Sequence, residues 1–400
     1  MKWAVFLGST SVGGGTNVIL EHAAGAVERG EDVTIVTMKP AAAADIAWHS
    51  RAGLPVWKTI EEAQKETYDV VIATWWWLVY DAYRIRGRHY LYFVQSIESR
   101  FYHQKERPTR QLAEATYMLP LQIITEAVWI QDYLKAHYGK TALLVHNGIR
   151  KEIYTPEGEC YAPRKKGILR VLVEGAVDVD FKNVPKTIRL CQKSMADEIW
   201  LMTASEIKRY KGADRVFSKV PIADTPKIYR SCDVIVKLSY VEGMFGPPLE
   251  MFHCGGTAIT YDVTGHDEYI VHGVNALVAK RNDDQKVIAY INRLKKDPDY
   301  LECLKEGALK TAQQWIDWEQ SSDRFYNAVY KLCSHPAEVK QQTLKRESRF
   351  YFKNYLTAEG YRREIQEFLE LNLVKRLWMR MKRKVPRRIK IKIKKMLGWE

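Results

Sequence analysis

The chain alternates short apolar runs with amphipathic or turn-rich stretches. "WAVFL" (Trp3 to Leu7) has the length of a strand and no polar position. "GSTSVGGGT" follows as a loop, and then "NVILEHAAGAVERG", where Ile19, Ala23, Ala26 and Val27 share one helical face and Gly30 supplies the stop. "DVTIVT", "YDVVIAT" and "HYLYFVQ" are further apolar runs of the kind found in sheets covered on both faces. "LQIITEAVWIQDYLKAHYG" holds a strand and a helix, and "ALLVHNG" a last strand. This alternation predicts β-α-β units feeding a parallel, doubly wound sheet.

After the polar, Pro/Gly-bearing "YTPEGECYAPRKKG" the pattern restarts. "LRVLVEG", "DEIWLMT", "DRVFSKV", "CDVIVKLS" and "GGTAITYD" each lead into helical or turn sequence, and "VIAYINRLKKDPDYLECLKEGALKTAQQW" closes the series with helices. Two similar Rossmann-like halves are expected, residues 1–155 and 156–315, followed by a helix at 316–335 and an extension at 336–400.

Composition changes this picture in one place. The 400 residues carry a net charge of +14, with twelve Lys or Arg and one Glu between Leu371 and Glu400. That places +11 in the last thirty residues and leaves +3 for the first 370. "FLELNLVKRLWMRMKRKVPRRIKIKIKKMLGWE" interleaves this charge with Leu, Trp, Ile and Met, a composition that binds anionic bilayer surfaces. Charge alone also binds phosphate backbones, or stays solvated; the apolar anchors favour the membrane, and no nucleic acid is expected. No window has the roughly 18 apolar residues of a spanning helix, and the apolar run at the N-terminus is too short for a signal peptide. The six cysteines are scattered singly and the ten histidines show no ligand spacing, which points to reduced thiols in a cytosolic protein.

The candidate chemistry lies where strands end. Gly13, Gly14 and Gly15 sit between a strand and a helix, where free N–H groups suit a diphosphate. The loop matches neither GxGxxG nor the Walker pattern, and glycines in a tight βα turn also serve sterics alone. "VEGMFGPPLEMFHCGG" carries Glu242 and Glu250 eight positions apart in otherwise apolar company. Pro247 and Pro248 predict a helix start there, with Glu250 in its first turn and Glu242 in the preceding loop. Either these carboxylates accept hydrogen bonds from ribose and sugar hydroxyls, or Glu250 simply favours a helix start and Glu242 is solvated. "TWWWLVYDAYRIRGRHY" and "FVQSIESRFY" follow first-half strands and would overhang a cleft. Either Trp76, Gln95, Glu98 and Arg100 contact an acceptor there, or the aromatics are core.

"EGMFGPPLEMFHCGGTAI" resembles the E-x7-E signature of retaining glycosyltransferase family 4, whose members have the GT-B fold. Five further pieces are similar to that family in the same order: "GGGTNVILEHAAGAVERGEDVTIVT", "EGAVDVDFKN", "VHNGIRKEIYTP" between them, "VTGHDEYIVHGVNALVAKRND" and "WIDWEQSSDRF". The resemblance covers about residues 1–332, and "YFVQSIESRFY" is similar to rhamnosyltransferase-like members. It implies two Rossmann-like domains facing a cleft, acceptor side first and nucleotide-sugar side second, with the last helix crossing back to the first. Glu250 would hold the ribose of a nucleotide sugar and Glu242 the transferred sugar. Lys182 would stabilise the departing diphosphate, on which Gly14 and Gly15 would close. The backbone of Phe245 and Gly246 would approach the sugar and phosphate, and the base would sit near Val220.

The chain departs from the pattern at Ala176, near which the family has a second basic residue; Lys186 is the nearest spare cation. "EGMFG" also displaces the motif glycine by one position. Asp178 and Asp180 form a DxD pair, but Lys182 already serves the diphosphate, so no metal and no cofactor is expected. The activity implied is sugar transfer to a glycan or lipid-linked glycan, in bacterial surface polysaccharide synthesis, at the inner face of the cytoplasmic membrane. The alternatives are a nucleotide-sugar epimerase, a phosphorylase, or a non-catalytic module that binds membrane or nucleic acid.

Overall fold

The computed structural model describes residues 1–334 and 340–370. Their strands form two separate sheets, parallel throughout. The first contains β1 (Lys2–Phe6), β2 (Asp32–Thr37), β3 (Val56–Thr59), β4 (Thr67–Ala73), β5 (Arg86–Val94), β6 (Gln122–Thr125) and β7 (Ala142–Leu144). Its order is β3-β2-β1-β4-β5-β6-β7. The second contains β8 (Arg170–Glu174), β9 (Glu198–Thr203), β10 (Arg215–Ser218), β11 (Val234–Lys237), β12 (Thr257–Tyr261) and β13 (Ala276–Ala279). Its order is β10-β9-β8-β11-β12-β13. Each chain of strands runs outward one way and then turns back, so β1 lies beside β4 and β8 beside β11. Open α/β sheets bind ligands beyond the strand carboxyl ends at such reversal points.

Six helices bear on the cleft between the sheets and on its setting: α1 (Gly14–Glu28), α2 (Arg107–Ala115), α3 (Val128–Tyr138), α4 (Gly246–His253), α5 (Trp318–Cys333) and α6 (Gln341–Glu370). Gly30 ends α1 at φ +87°, its N–H donating to Val27 O, and Gly139 ends α3 at φ +63°. Both adopt the left-handed region that a side chain disfavours.

The helix α5 lies against α1 in the first half. Phe325 stacks on the buried His22 ring (4.2 Å between centroids), and Asp323 accepts from Arg29 Nε at 2.7 Å. The segment before it is tied to the crossover from β7: Ser321 Oγ donates to His146 O (2.7 Å) and Trp315 Nε1 to Asn147 O (2.9 Å). These bonds fix how the two halves face one another.

Beyond residue 339 the chain returns to the first half as α6. Leu344 is fully buried there, with Tyr351, Phe352 and Tyr355 packed on the same core. Gln341 Nε2 donates to Tyr83 O at 2.7 Å. The basic stretch 371–400 lies outside the described residues. Among the described residues, no helix is long and apolar enough to cross a membrane.

Candidate functional site

The cleft between the halves encloses about 530 Å³. Its first wall comes from the loop after β1, where α1 begins at Gly14 with no side-chain cap and no acidic residue in its first turn. The N-terminal N–H groups of α1 therefore keep their capacity for an anion. Gly13, Gly14 and Gly15 all line the cleft. Gln95, just past β5, donates from Nε2 to Gly15 O at 3.2 Å and holds the glycine loop from the side.

The opposite wall is built at the β8–β11 reversal. Lys182 lies in a short 3₁₀ turn after β8, and its Nζ donates to both oxygens of Glu242, at 3.0 and 2.9 Å. Glu242 is buried at 7% exposure, which settles against a solvated loop residue. Burial alone would raise its carboxyl, but Lys182 and then Lys237 hold it below the usual carboxylate range. Lys237, the last residue of β11, stands 3.5 Å from Glu242 and pairs with Glu174 at the end of β8.

Glu250 lies one turn into α4, because the helix begins at Gly246; the expectation of a first-turn residue is corrected accordingly. From there the side chain turns inward, and Tyr229 Oη donates to its Oε2 at 2.6 Å. Burial pushes this carboxyl up to about 7, with Glu174 adding repulsion and Lys237 opposing it. Val220 and Gly246 also line this side.

The two walls touch. Glu126, after β6, accepts from Met244 N–H (2.9 Å) and from Asn147 Nδ2 (2.9 Å), while Trp129 Nε1 donates to Gly243 O (3.0 Å). Phe101 and Phe181 stack across the gap at 4.9 Å. Burial raises Glu126 to about 7, and the nearby Glu242 charge adds to the shift. The loop bearing Glu242 is thus held by both halves.

Other placements differ from the expectations. Trp76 is 1% exposed, in the core of the first half, with its indole N–H given to Tyr102 Oη (3.1 Å); its ring is packing and no sugar platform. The indole in the cleft wall is Trp48, held by a bond to Thr10 O (2.9 Å). Arg100 is drawn away by the rings of Trp129 and Tyr133, each 5.0 Å from its guanidinium, and is no part of the wall. Glu98 does line the cleft; it accepts from Trp76 N–H (2.8 Å), and burial raises its carboxyl to about 8. Phe245 is fully enclosed and its carbonyl accepts from Tyr269 Oη, so Gly243, Met244 and Gly246 form the wall in its place. Lys186 is committed to Asp284 (2.7 Å) and Asn282 (3.0 Å), away from the cleft wall, so it leaves the position of Ala176 without a substitute cation. Asp178 accepts from Ser205 Oγ, and among the described residues no group of three His, Cys, Asp or Glu is placed to hold a metal ion.

Glu126, Glu174, Tyr229 and Lys237 are members of the site that the sequence reading passed over. Lys237 had a signal: a lysine inside the apolar "CDVIVKLS" run of a strand flanked on both sides needs a buried anion. Glu126 had none, since its partner Met244 is 118 positions away.

Residues 203–311 match the family model for glycosyl transferases group 1. The chain is 23% identical over 290 residues to the O-antigen biosynthesis protein RfbC of Myxococcus xanthus, covering 67% of this chain and 21% of that protein. It is 21% identical over 207 residues to the uncharacterized glycosyltransferase MJ1178 of Methanocaldococcus jannaschii, covering 50% and 56%. The chain therefore spans about a fifth and just over half of these relatives. Among solved structures, Anabaena HepE in complex with UDP-glucose superposes with a TM-score of 0.67 at 16% identity, covering 83% of this chain and all of that one. At that identity the likeness is one of fold, and the fold is GT-B.

Proposed function

We propose that this protein is a retaining glycosyltransferase of family 4 type. It moves a sugar from a nucleotide-sugar donor to a hydroxyl of a glycan or lipid-linked glycan in bacterial surface polysaccharide synthesis. The observation that carries the reading is the bidentate Lys182–Glu242 pair facing the glycine loop across one cleft, with Glu250 behind it. The group 1 match and the RfbC relative support it. In this reading the diphosphate lies between the N-terminus of α1 and Lys182, Glu250 takes the ribose diol, and the base sits by Val220. Glu242 accepts from hydroxyls of the transferred sugar. Gln95 and Glu98 face the acceptor. The acceptor attacks from the side the diphosphate leaves, so no protein nucleophile is needed, and charge on the leaving group is met by Lys182 and loop amides.

A panel of UDP-, GDP-, dTDP- and ADP-sugars, assayed for hydrolysis in excess EDTA, tests this directly. At least one donor is expected to be hydrolysed, and more slowly than it is transferred once an acceptor is supplied. Loss of all activity in EDTA with rescue by Mn²⁺ would assign Asp178 and Asp180 to a metal. Isomerised donor without acceptor would indicate an epimerase, and a requirement for inorganic phosphate a phosphorylase.

Glu250 gives the site a pH dependence. Its carboxyl, raised to about 7, must be ionised to accept from both ribose hydroxyls. Affinity for the matching nucleoside diphosphate should fall as pH drops through 7, about tenfold per unit well below it. Glu250→Gln should bind more weakly at pH 8 and lose that slope. Calorimetry at pH 6 and pH 8 that shows equal affinity for wild type would remove Glu250 from the ribose.

Peripheral membrane attachment belongs to the same proposal. The outer face of α6 exposes Phe350, Leu356, Tyr361 and Ile365 among Arg346, Lys353 and Arg363, and the +11 stretch follows it in sequence. Anionic vesicles should co-float with the full chain and lose a form ending at residue 335. Equal co-flotation of both would place the anchor elsewhere.

A further inference from the structure

Lys237 is the least expected charge in the molecule. It ends a central strand of the second sheet and its side chain is 1% exposed. Its Nζ pairs with the Glu174 carboxylate, lies 3.4 Å from the Glu174 carbonyl and 3.5 Å from Glu242 Oε1. The sheet register explains the meeting: Val236 stands opposite Val173, so the next pair along is Lys237 and Glu174. A buried ion pair of this kind is seldom a gain in stability over an apolar pair. Its position under Glu242 gives it another use.

Two lysines serve Glu242, and they differ in freedom. Lys182 comes from a turn, with a quarter of its side chain exposed to the cleft. Lys237 is enclosed and tethered. On the donor-site reading above, on which this inference rests, Lys182 must give up part of its hold on Glu242 when the diphosphate arrives. A buried carboxylate that loses its cation takes up a proton. Protonated, Glu242 would no longer accept from sugar hydroxyls with both oxygens.

We propose that Lys237 is the fixed counter-ion of Glu242, holding that carboxylate ionised and in place while Lys182 moves to the donor's diphosphate. Glu174 keeps Lys237 charged, so the resting site has two cations and two carboxylates, and the fixed pair stays behind when Lys182 is engaged. Lys237 is a positioning residue; it acts through Glu242 and touches no reacting atom. The arrangement also bears on Ala176, since the second cation of this site rises from the sheet floor and not from the loop.

The titratable groups around Glu242 are Lys182 from the turn after β8, Lys237 from β11, Glu126 from the first half, and Tyr269, whose hydroxyl feels both Glu242 and Glu250. The readout is therefore kcat against pH at saturating donor, which reports the bound complex and in which Glu250 is already committed to the ribose. The double variant Glu174→Gln/Lys237→Met removes one charge of each sign and keeps the volume. Its acid limb in kcat for donor hydrolysis should move up by one pH unit or more, a tenfold loss at pH 6 that fades toward pH 9. The same two changes in a Glu242→Gln background should move no limb. A second variant needs no change to the buried pair: Lys182→Met should be slow at every pH yet keep the wild-type limb, because Lys237 suffices to hold Glu242 ionised.

An unmoved limb in the double variant, a loss equal at all pH values, or a limb shifted by Lys182→Met would each overturn the role of Lys237. Wild-type protein that hydrolyses no nucleotide sugar would overturn the donor-site reading, and this inference with it.

Discussion

Lys182→Ala is expected to lower turnover about 10²–10³-fold, the usual cost of deleting one preorganised charge at a centre where negative charge develops. The Lys182 Nζ stands within 3.0 Å of both Glu242 oxygens, on the cleft wall facing the glycine loop. No other lysine replaces it: Lys186 is bound to Asp284 and Asn282, and Lys237 is enclosed against Glu174. The loss should fall mainly on kcat, since the charge matters most as the diphosphate departs, and the donor's KM should change less. The thermal midpoint should stay near that of wild type, because Glu242 keeps Lys237 as a partner. Steady-state kinetics with the donor identified by the panel decide it. Turnover within threefold of wild type in a folded Lys182→Ala protein would remove this lysine from the leaving-group site.

Gly243→Ala is expected to cost about as much, for a reason that is purely geometric. The residue sits between Glu242 and Met244 and its φ is not positive, so alanine suits the backbone there. An added Cβ, however, would lie 2.0 Å from Gln95 O and 2.7 Å from Glu126 Oε1, both on the other half of the molecule. Backbone at that distance cannot yield, so the loop must withdraw from the first half or the halves must part. Either response takes Glu242 away from Gln95 and the glycine loop. Displacements of about 1 Å at a reacting centre cost about a hundredfold. The second half should fold unchanged, since neither obstructing group belongs to it. A near-normal thermal midpoint, turnover reduced about a hundredfold and a larger radius of gyration by X-ray scattering are the expected results. Wild-type turnover in Gly243→Ala would mean that catalysis does not need the closed contact seen here.

Both predictions rest on contacts of very different sequence range, and that difference marks what the sequence could reveal. The strands "WAVFL", "YDVVIAT" and "CDVIVKLS" were legible because burial on two faces demands continuous apolar runs. The stops at Gly30 and Gly139 were legible because their backbone angles favour glycine. The strand–loop–helix grammar gave two similar sheets, and the spacing of Glu242 and Glu250 with Lys182 placed all three at strand ends beside a reversal point. These are local facts, set by residues within one element and its neighbours.

What local pattern could not decide was which side chain faces the cleft. Trp76 and Trp48 look alike as residue types, yet one is enclosed by Tyr102 and neighbouring tryptophans and the other lines the cleft. Arg100 was read as an acceptor contact, but two rings of α3 hold it elsewhere. Glu126 entered the site only because the chain returns, more than a hundred residues later, to put Met244 N–H beside it. Glu174 and Lys237 meet because β8 and β11 are neighbours in the sheet order, a pairing no short-range periodicity encodes. The sequence alone determined the elements, their grammar and the donor-side charges, because burial and backbone preference act within a few residues. The tertiary structure alone decided the partners, ionisation and closeness of those charges, because desolvation and Coulomb terms depend on which distant groups share the same few ångströms.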